Sequence, residues 1–132
     1  IAKPLGGCCG RGIEKVNLED YDSPEAAYDA LMALNTPFEL EELIIQHPAV
    51  SAIYPEAINT VRTVTINKDG EVHVICAYFR IGNNGKHVDN FNSGGMVAPV
   101  DEITGIVKDR AIDKQKNLYE VHPYTGTPIK GF

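Results

Sequence analysis

Residues 59–81 read "NTVRTVTINKDGEVHVICAYFRI", and this stretch decides the fold. Residues 59–66 and 71–81 are rich in Val, Ile and Thr, the side chains that suit a pleated strand. Between them lies "NKDG", whose Asp69-Gly70 pair favours the positive φ angles of a tight hairpin turn. Two adjacent antiparallel strands are therefore predicted. A polar stretch, "GNNGKHVDNFNSGG" (82–95), follows them and is too long to be a mere connection in a compact domain. "MVAPVD" (96–101) and "TGIVKDRAID" (104–113) suggest further strands around a turn at Glu102–Gly105. The tail, "YEVHPYTGTPIKGF" (119–132), shows no regular pattern.

Upstream, "DSPEAAYDALMAL" (22–34) carries a helix start: Ser23 as N-cap, Pro24 at the first helical position and Glu25 in the first turn. Ala27, Tyr28, Leu31 and Leu34 recur at helical spacing, and "NTP" (35–37) stops the helix. "FELEELII" (38–45) reads as a strand running into a buried connection. "QHPAVSAIYPEA" (46–57) is a loop or a short helical turn, broken by Pro48 and Pro55. At the head, residues 1–5 and 12–18 of "IAKPLGGCCGRGIEKV" (1–16) and its continuation read as short strands flanking a Gly-rich hairpin turn. The predicted fold class is α+β, mostly antiparallel sheet with one clear helix and a Gly-rich hairpin loop. At 132 residues it is a single domain by size, without internal repeats. Beginning in strand-like "IAK" with no methionine, the chain reads as a piece excised from a longer protein.

The 43% hydrophobic and 23% charged content is that of a soluble globular protein. The apolar runs are too short for a membrane span. A net charge of −6 argues against a general nucleic-acid grip, which needs a basic surface. Cys8, Cys9 and Cys76 make no disulfide framework, and reduced thiols fit a cytoplasmic protein. Cys76, in a strand, is expected as a small buried hydrophobe. The histidines show no zinc-site spacing.

Several residues have the chemistry of anion binding. The glycines of the first turn let backbone N–H groups approach a phosphate. Neither the P-loop pattern nor the dinucleotide fingerprint fits, however, because Gly10-Arg11-Gly12 lacks the Lys-Ser/Thr and no helix opens there. Lys3 stands just before that turn. Arg62 interrupts one strand of the central hairpin and Arg80 closes the other. Arginine among strand apolars costs free energy unless paired, so each needs a carboxylate or a phosphate. Asp89 and Asp101 have the chemistry of Mg²⁺ ligands, though two lone aspartates do not define a site.

"KPLGGCCGRGI", "LEELIIQHPAV", "AINTVRTVTI" and "YFRIGNNGKHVDNFNSGGMVAPVD", in this order, resemble the sugar-transfer associated ATP-grasp family over most of residues 1–105. The resemblance implies an ATP-grasp fragment, with residues 1–45 as glycine-loop subdomain and hinge and 46–132 as the start of the catalytic sheet. It implies that Lys3 contacts the α- and β-phosphates of ATP and that Gly6, Gly7, Gly10 and Gly12 form a mobile lid over them. Glu41, Glu42, Leu43 and Ile44 match the hinge that reads adenine, and Asn59 lies where the ribose approaches. Arg62 and Arg80 resemble the catalytic arginines on phosphate or acyl-phosphate oxygens. Asn90, Asn92, Gly94 and Gly95 resemble the loop that faces the γ-phosphate and the acceptor substrate.

The implied activity is MgATP binding within a carboxylate–amine or related ligase that works through an acyl phosphate, in polysaccharide or cell-surface sugar biosynthesis. The implied ligands are a nucleotide and a small carboxylate or sugar-linked substrate, and Mg²⁺. The family places its Mg²⁺ ligands on an Asp and a Glu-x-Asn near the C-terminal end. No Glu-x-Asn follows residue 105, so the metal ligands are expected outside this chain, and the piece alone is not expected to turn over. A non-catalytic nucleotide- or sugar-phosphate-binding module is the competing reading, and a small structural domain whose glycines only make turns is the third. An exposed sheet edge would favour pairing into a homo-oligomer.

Overall fold

The computed structural model describes all residues except Gly7 and Cys9. The chain divides into two compact units, Ile1–Ile44 and Ile45–Phe132.

In the first unit, β1 (Ala2–Pro4) pairs antiparallel with β2 (Phe38–Leu40), in the register Ala2↔Leu40, Lys3↔Glu39 and Pro4↔Phe38. On its other side β1 meets residues 12–18 only at one bridge, Ala2↔Glu14, closed by reciprocal N–H···O bonds of 2.8 and 2.9 Å. The expected N-terminal hairpin is thus reduced to a single rung. Pro4 has no N–H to continue that ladder, and at Asn17 the chain turns into a 3₁₀ turn, Leu18–Asp20. Likewise only Phe38–Leu40 of the expected strand 38–45 is β-structure. The helix α1 (Pro24–Met32) starts where its signals predict: Ser23 Oγ accepts the Ala26 N–H at 3.1 Å and Pro24 opens the first turn. Its inward residues are Ala27 and Leu31.

The second unit is a five-stranded antiparallel sheet preceded by α2 (Pro48–Ile53), the short helical turn between the two prolines. The hairpin is as read: β3 (Thr60–Lys68) and β4 (Glu71–Ile81) flank Asp69 and Gly70, both at positive φ (56° and 90°). β5 (Met96–Val100), β6 (Ala111–Ile112) and β7 (Leu118–Tyr119) complete the order β3-β4-β5-β6-β7. The turn between 101 and 105 is built on Asp101, whose Oδ1 accepts the Thr104 N–H at 2.8 Å. The tail is more regular than its sequence suggests, with β7 and a bridge Val121↔Pro128, because pairings of one or two residues leave no alternation to read.

The core follows from the register. Phe79 and Ile81 of β4 lie opposite Ala98 and Met96 of β5, all nearly or fully buried together with Val100, Ala111, Ile53, Tyr54 and Ile129. β5 pairs only with residues 77–81 of β4. Among the described residues of the second unit, 71–76 therefore have β3 as their one strand neighbour and no core beneath them. That is why Cys76 is exposed, against the expectation of a buried thiol, and why Val72, Val74 and Ile75 are about half exposed. Ile75 forms a bulge: Val64 faces Cys76, but Thr65 faces Val74.

Candidate anion-binding face and its supports

Strand geometry sends alternate side chains to opposite faces. With Phe79 and Ile81 in the core, Tyr78 and Arg80 point to the other face, beside Thr60 and Arg62 of β3 and Val97 and Pro99 of β5. The register pairs Thr60 with Arg80 and Arg62 with Tyr78. Arg62 and Arg80 are thus diagonal neighbours on one face, about 7–8 Å apart by sheet geometry.

The two arginines differ in environment. Arg80 is largely buried, and its Nη2 donates to Asp89 Oδ1 at 2.6 Å; the Asp89 side chain is only 9% exposed. Thr60 Oγ1 donates to the other carboxylate oxygen of Asp89. The partner demanded by Arg80 is therefore an aspartate from the following loop. Arg62 meets the same demand differently: it is exposed, so it escapes the desolvation cost, and among the described residues no ion pair engages it.

The loop carrying Asp89 is closely fitted. Gly94 takes φ 101°, and a Cβ on Gly95 would lie 2.5 Å from the Asp89 carbonyl oxygen and 2.9 Å from that of Ile81. The Asn90 carbonyl accepts the Ser93 and Gly95 N–H groups at 2.9 and 3.0 Å. Asn90, Gly94 and Gly95 are thus brought to the end of β4 with Arg80, and Asn92 lies in the 3₁₀ turn Phe91–Ser93 between them.

Asn59, at the foot of β3, is buried and engaged all round. Its Oδ1 accepts the Gly82 N–H at 2.9 Å, and its Nδ2 donates to the carbonyl of Tyr54 at 2.9 Å and to Gln46 Oε1 at 3.2 Å. Gly82 is held from a second side by His122, whose Nε2 bonds its carbonyl at 2.9 Å. His122 stacks on Tyr54 with ring centroids 5.0 Å apart. Burial pushes the His122 pKa below its ordinary 6.5, only partly offset by the bond to Gly82. A Cβ on Gly82 would lie 2.5 Å from the Tyr54 ring, so only glycine fits. Asn59, Gly82, His122 and Tyr54 together fix where β4 ends and the loop begins. Further along, burial tends to raise the Asp113 pKa, but bonds from Asn117 and Tyr119 outweigh it and hold the carboxyl below its usual range.

The other residues singled out by sequence lie in the first unit. Lys3 on β1 forms an ion pair with Glu41, and both side chains are partly exposed. Gly10 and Gly12 have positive φ (71° and 73°), and a Cβ on Gly6 would meet nothing. Gly7 lies outside the described residues. Glu42, Leu43 and Ile44 are exposed and outside regular structure. A cavity of about 550 Å³ in this unit, lined by Tyr28, Met32, Thr36, Phe38 and Leu40 among others, contains none of the predicted residues.

Sequence reasoning missed Asp89 as the partner of Arg80, and missed Thr60, Gln46 and His122 altogether. The need for a carboxylate at Arg80 was the available signal. No spacing rule picks Asp89 from the acidic residues downstream. The residues present do not make a metal centre: among the described residues no three His, Cys, Asp or Glu side chains gather, Asp89 is taken by Arg80 and Thr60, and Asp101 by its own turn. No helix is long and apolar enough to cross a membrane.

The family model described as "Sugar-transfer associated ATP-grasp" matches residues 14–132, leaving Lys3 and the Gly-rich turn outside the matched span. No curated protein and no solved structure matches the chain. A match over nine-tenths of the sequence, on an α+β chain that places two arginines on one sheet face, carries the assignment: the chain belongs to the sugar-transfer associated ATP-grasp family, a family of ATP-binding, ligase-like modules.

Proposed function

We propose that the chain is the ATP-binding part of a cytoplasmic ligase that joins a carboxylate to an amine or related nucleophile through an acyl phosphate, in the assembly of sugar polymers or cell-surface sugars. The observation that carries this reading is the pair Arg62 and Arg80, diagonal on one sheet face beside the loop of Asn90, Asn92, Gly94 and Gly95. Guanidinium is suited to phosphate oxygens because its planar fork donates two parallel hydrogen bonds. In the proposed reaction a carboxylate oxygen attacks the γ-phosphorus of ATP and ADP leaves. The nucleophile then attacks the acyl carbon, phosphate leaves, and the nucleophile gives up its proton. What this chain contributes is position and charge: arginines that neutralise the oxygens, and a loop fixed at the end of β4. Lys3 and Gly6, Gly7, Gly10 and Gly12 serve the α- and β-phosphates in this reading, and residues 41–44 the adenine. Mg²⁺ would supply further charge neutralisation from ligands beyond these residues.

The test is isothermal titration with ATP, with and without Mg²⁺, of the wild type, Arg62→Ala and Lys3→Ala. A charge-assisted hydrogen bond is worth about 1.5–3 kcal/mol, so each variant is expected to lose about ten- to a hundredfold in affinity. Unchanged affinity in both variants, or no ATP binding by the native full-length gene product, overturns the reading.

A further inference from the structure

We infer that Asp89 is a built-in competitor for the anion at Arg80: a positioning residue that occupies this guanidinium, and so links its loop to β3 and β4, until an anionic ligand takes its place. The inference rests on the reading of Arg62 and Arg80 as phosphate-facing residues.

Three observations converge on it. First, the Asp89 carboxylate is fully used: one oxygen accepts from Arg80 Nη2 at 2.6 Å and the other from Thr60 Oγ1. One of its oxygens stands where a phosphate oxygen could accept from Arg80, because carboxylate and phosphate oxygens take the same guanidinium donors. Second, the neighbouring Arg62 has no carboxylate among the described residues although it lies on the same face. Neutralisation is thus specific to the buried arginine. Third, Asp89 belongs to the loop 82–95, which is also held where Tyr54 Oη donates to the Lys86 carbonyl at 3.1 Å and where His87 Nδ1 lies 3.2 Å from the Glu56 carbonyl. Gly95 sits under the Asp89 carbonyl, the Asn90 carbonyl closes the turn to Ser93 and Gly95, and Asn84 reaches the Gly94 carbonyl only at 3.5 Å. The carboxylate of Asp89 joins this loop to Thr60 of β3 and to Arg80 of β4.

The consequence is an exchange of partners. With Asp89 in place, an arriving anion meets one free guanidinium, Arg62, and one masked. Taking Arg80 as well requires displacing the carboxylate, which removes the link from Asp89 to Thr60 and Arg80. Anion binding at Arg80 and loop position are thereby coupled, and each can shift the other only by the difference in affinity between the two partners.

Inorganic tripolyphosphate is the probe, titrated into the whole chain as wild type, Asp89→Asn, Arg80→Ala and the double variant. Asparagine keeps the shape and a hydrogen-bond acceptor for Thr60 while removing the charge. Asp89→Asn is expected to bind tripolyphosphate about three- to tenfold more tightly, with a steeper loss of affinity on adding salt, and amide exchange of residues 83–95 is expected to quicken. In the Arg80→Ala background the same substitution is expected to leave affinity unchanged. A residue that merely held the fold would weaken binding in both backgrounds. Equal or weaker binding by Asp89→Asn, a gain that persists without Arg80, or no tripolyphosphate binding by either form overturns the inference. Wild type that binds tripolyphosphate but not ATP, with the Asp89→Asn gain intact, sinks the nucleotide reading and leaves the competitor standing.

Discussion

Replacing Asn59 by alanine is the perturbation that the structure prices most directly. The Asn59 side chain joins three pieces of the second unit: Gln46 and Tyr54 around α2, β3 at its own position, and Gly82 at the exit of β4. Alanine strands the Gly82 N–H and the Tyr54 carbonyl, each 2.9 Å from the lost amide, in a place where Tyr54 is fully buried. A buried polar group left without its partner costs about 1–3 kcal/mol. Two such groups give about 2–6 kcal/mol, against a total stability of about 5–15 kcal/mol for a domain of ordinary size. The weaker bond to Val50, at 3.4 Å, adds little. Asn59→Asp is expected to cost at least as much. It keeps an acceptor for Gly82 but turns the donating nitrogen into a carboxylate oxygen against the Tyr54 carbonyl, and it buries a charge. The assay is urea unfolding followed by far-ultraviolet circular dichroism, since the chain has no tryptophan. A loss below about 1 kcal/mol for Asn59→Ala at unchanged denaturant slope would refute the reasoning, because two stranded groups cannot cost so little.

Two further outcomes follow from the same region. Gly82→Ala places a Cβ 2.5 Å from Tyr54 Cδ1 and 2.7 Å from the Ala57 Cβ, and Tyr54 is stacked on His122 and cannot swing away, so a loss of about 3 kcal/mol is expected in the same unfolding assay. Because burial keeps His122 below its ordinary value of 6.5, the unfolded chain takes up this proton before the folded one does. Stability is therefore complete above about pH 6.5 and declines as the pH falls through the lower folded value, and the acid limb of a thermal-melting profile should flatten in His122→Gln.

What could be read from the sequence follows the length of the elements. The β3–β4 hairpin was legible because nine and eleven residues of strand composition flank an Asp-Gly turn, and α1 because Ser23, Pro24 and Glu25 mark its start. The strand at 118–119 was not, since two residues carry no period; the expected hairpin of 1–5 with 12–18 is present only as the rung Ala2↔Glu14, and the strand expected in 104–113 only as Ala111–Ile112. Cys76 was misjudged for a different reason. Its strand is continuous with a buried one, but whether a core lies beneath is set by where β5 stops pairing, at Ala77. The candidate site shows the same division. Arg62 and Arg80 were visible as cations out of place in apolar strands, and the Gly94-Gly95 turn as a backbone demand. Asp89, Thr60 and Gln46 were not visible as their supports, because a hydrogen-bond partner is chosen by proximity in the fold and not by spacing in the chain.

Whether the sheet face bearing Arg62 and Arg80 binds the phosphates of ATP is decided by following the backbone amide resonances of the isotopically labelled chain during an ATP titration. Saturable shifts clustered at residues 59–64, 78–82 and 89–95 are expected, diminished in Arg62→Ala. Shifts confined to the distal hairpin around Asp69 and Gly70, or none at millimolar ATP, would contradict phosphate binding at this face.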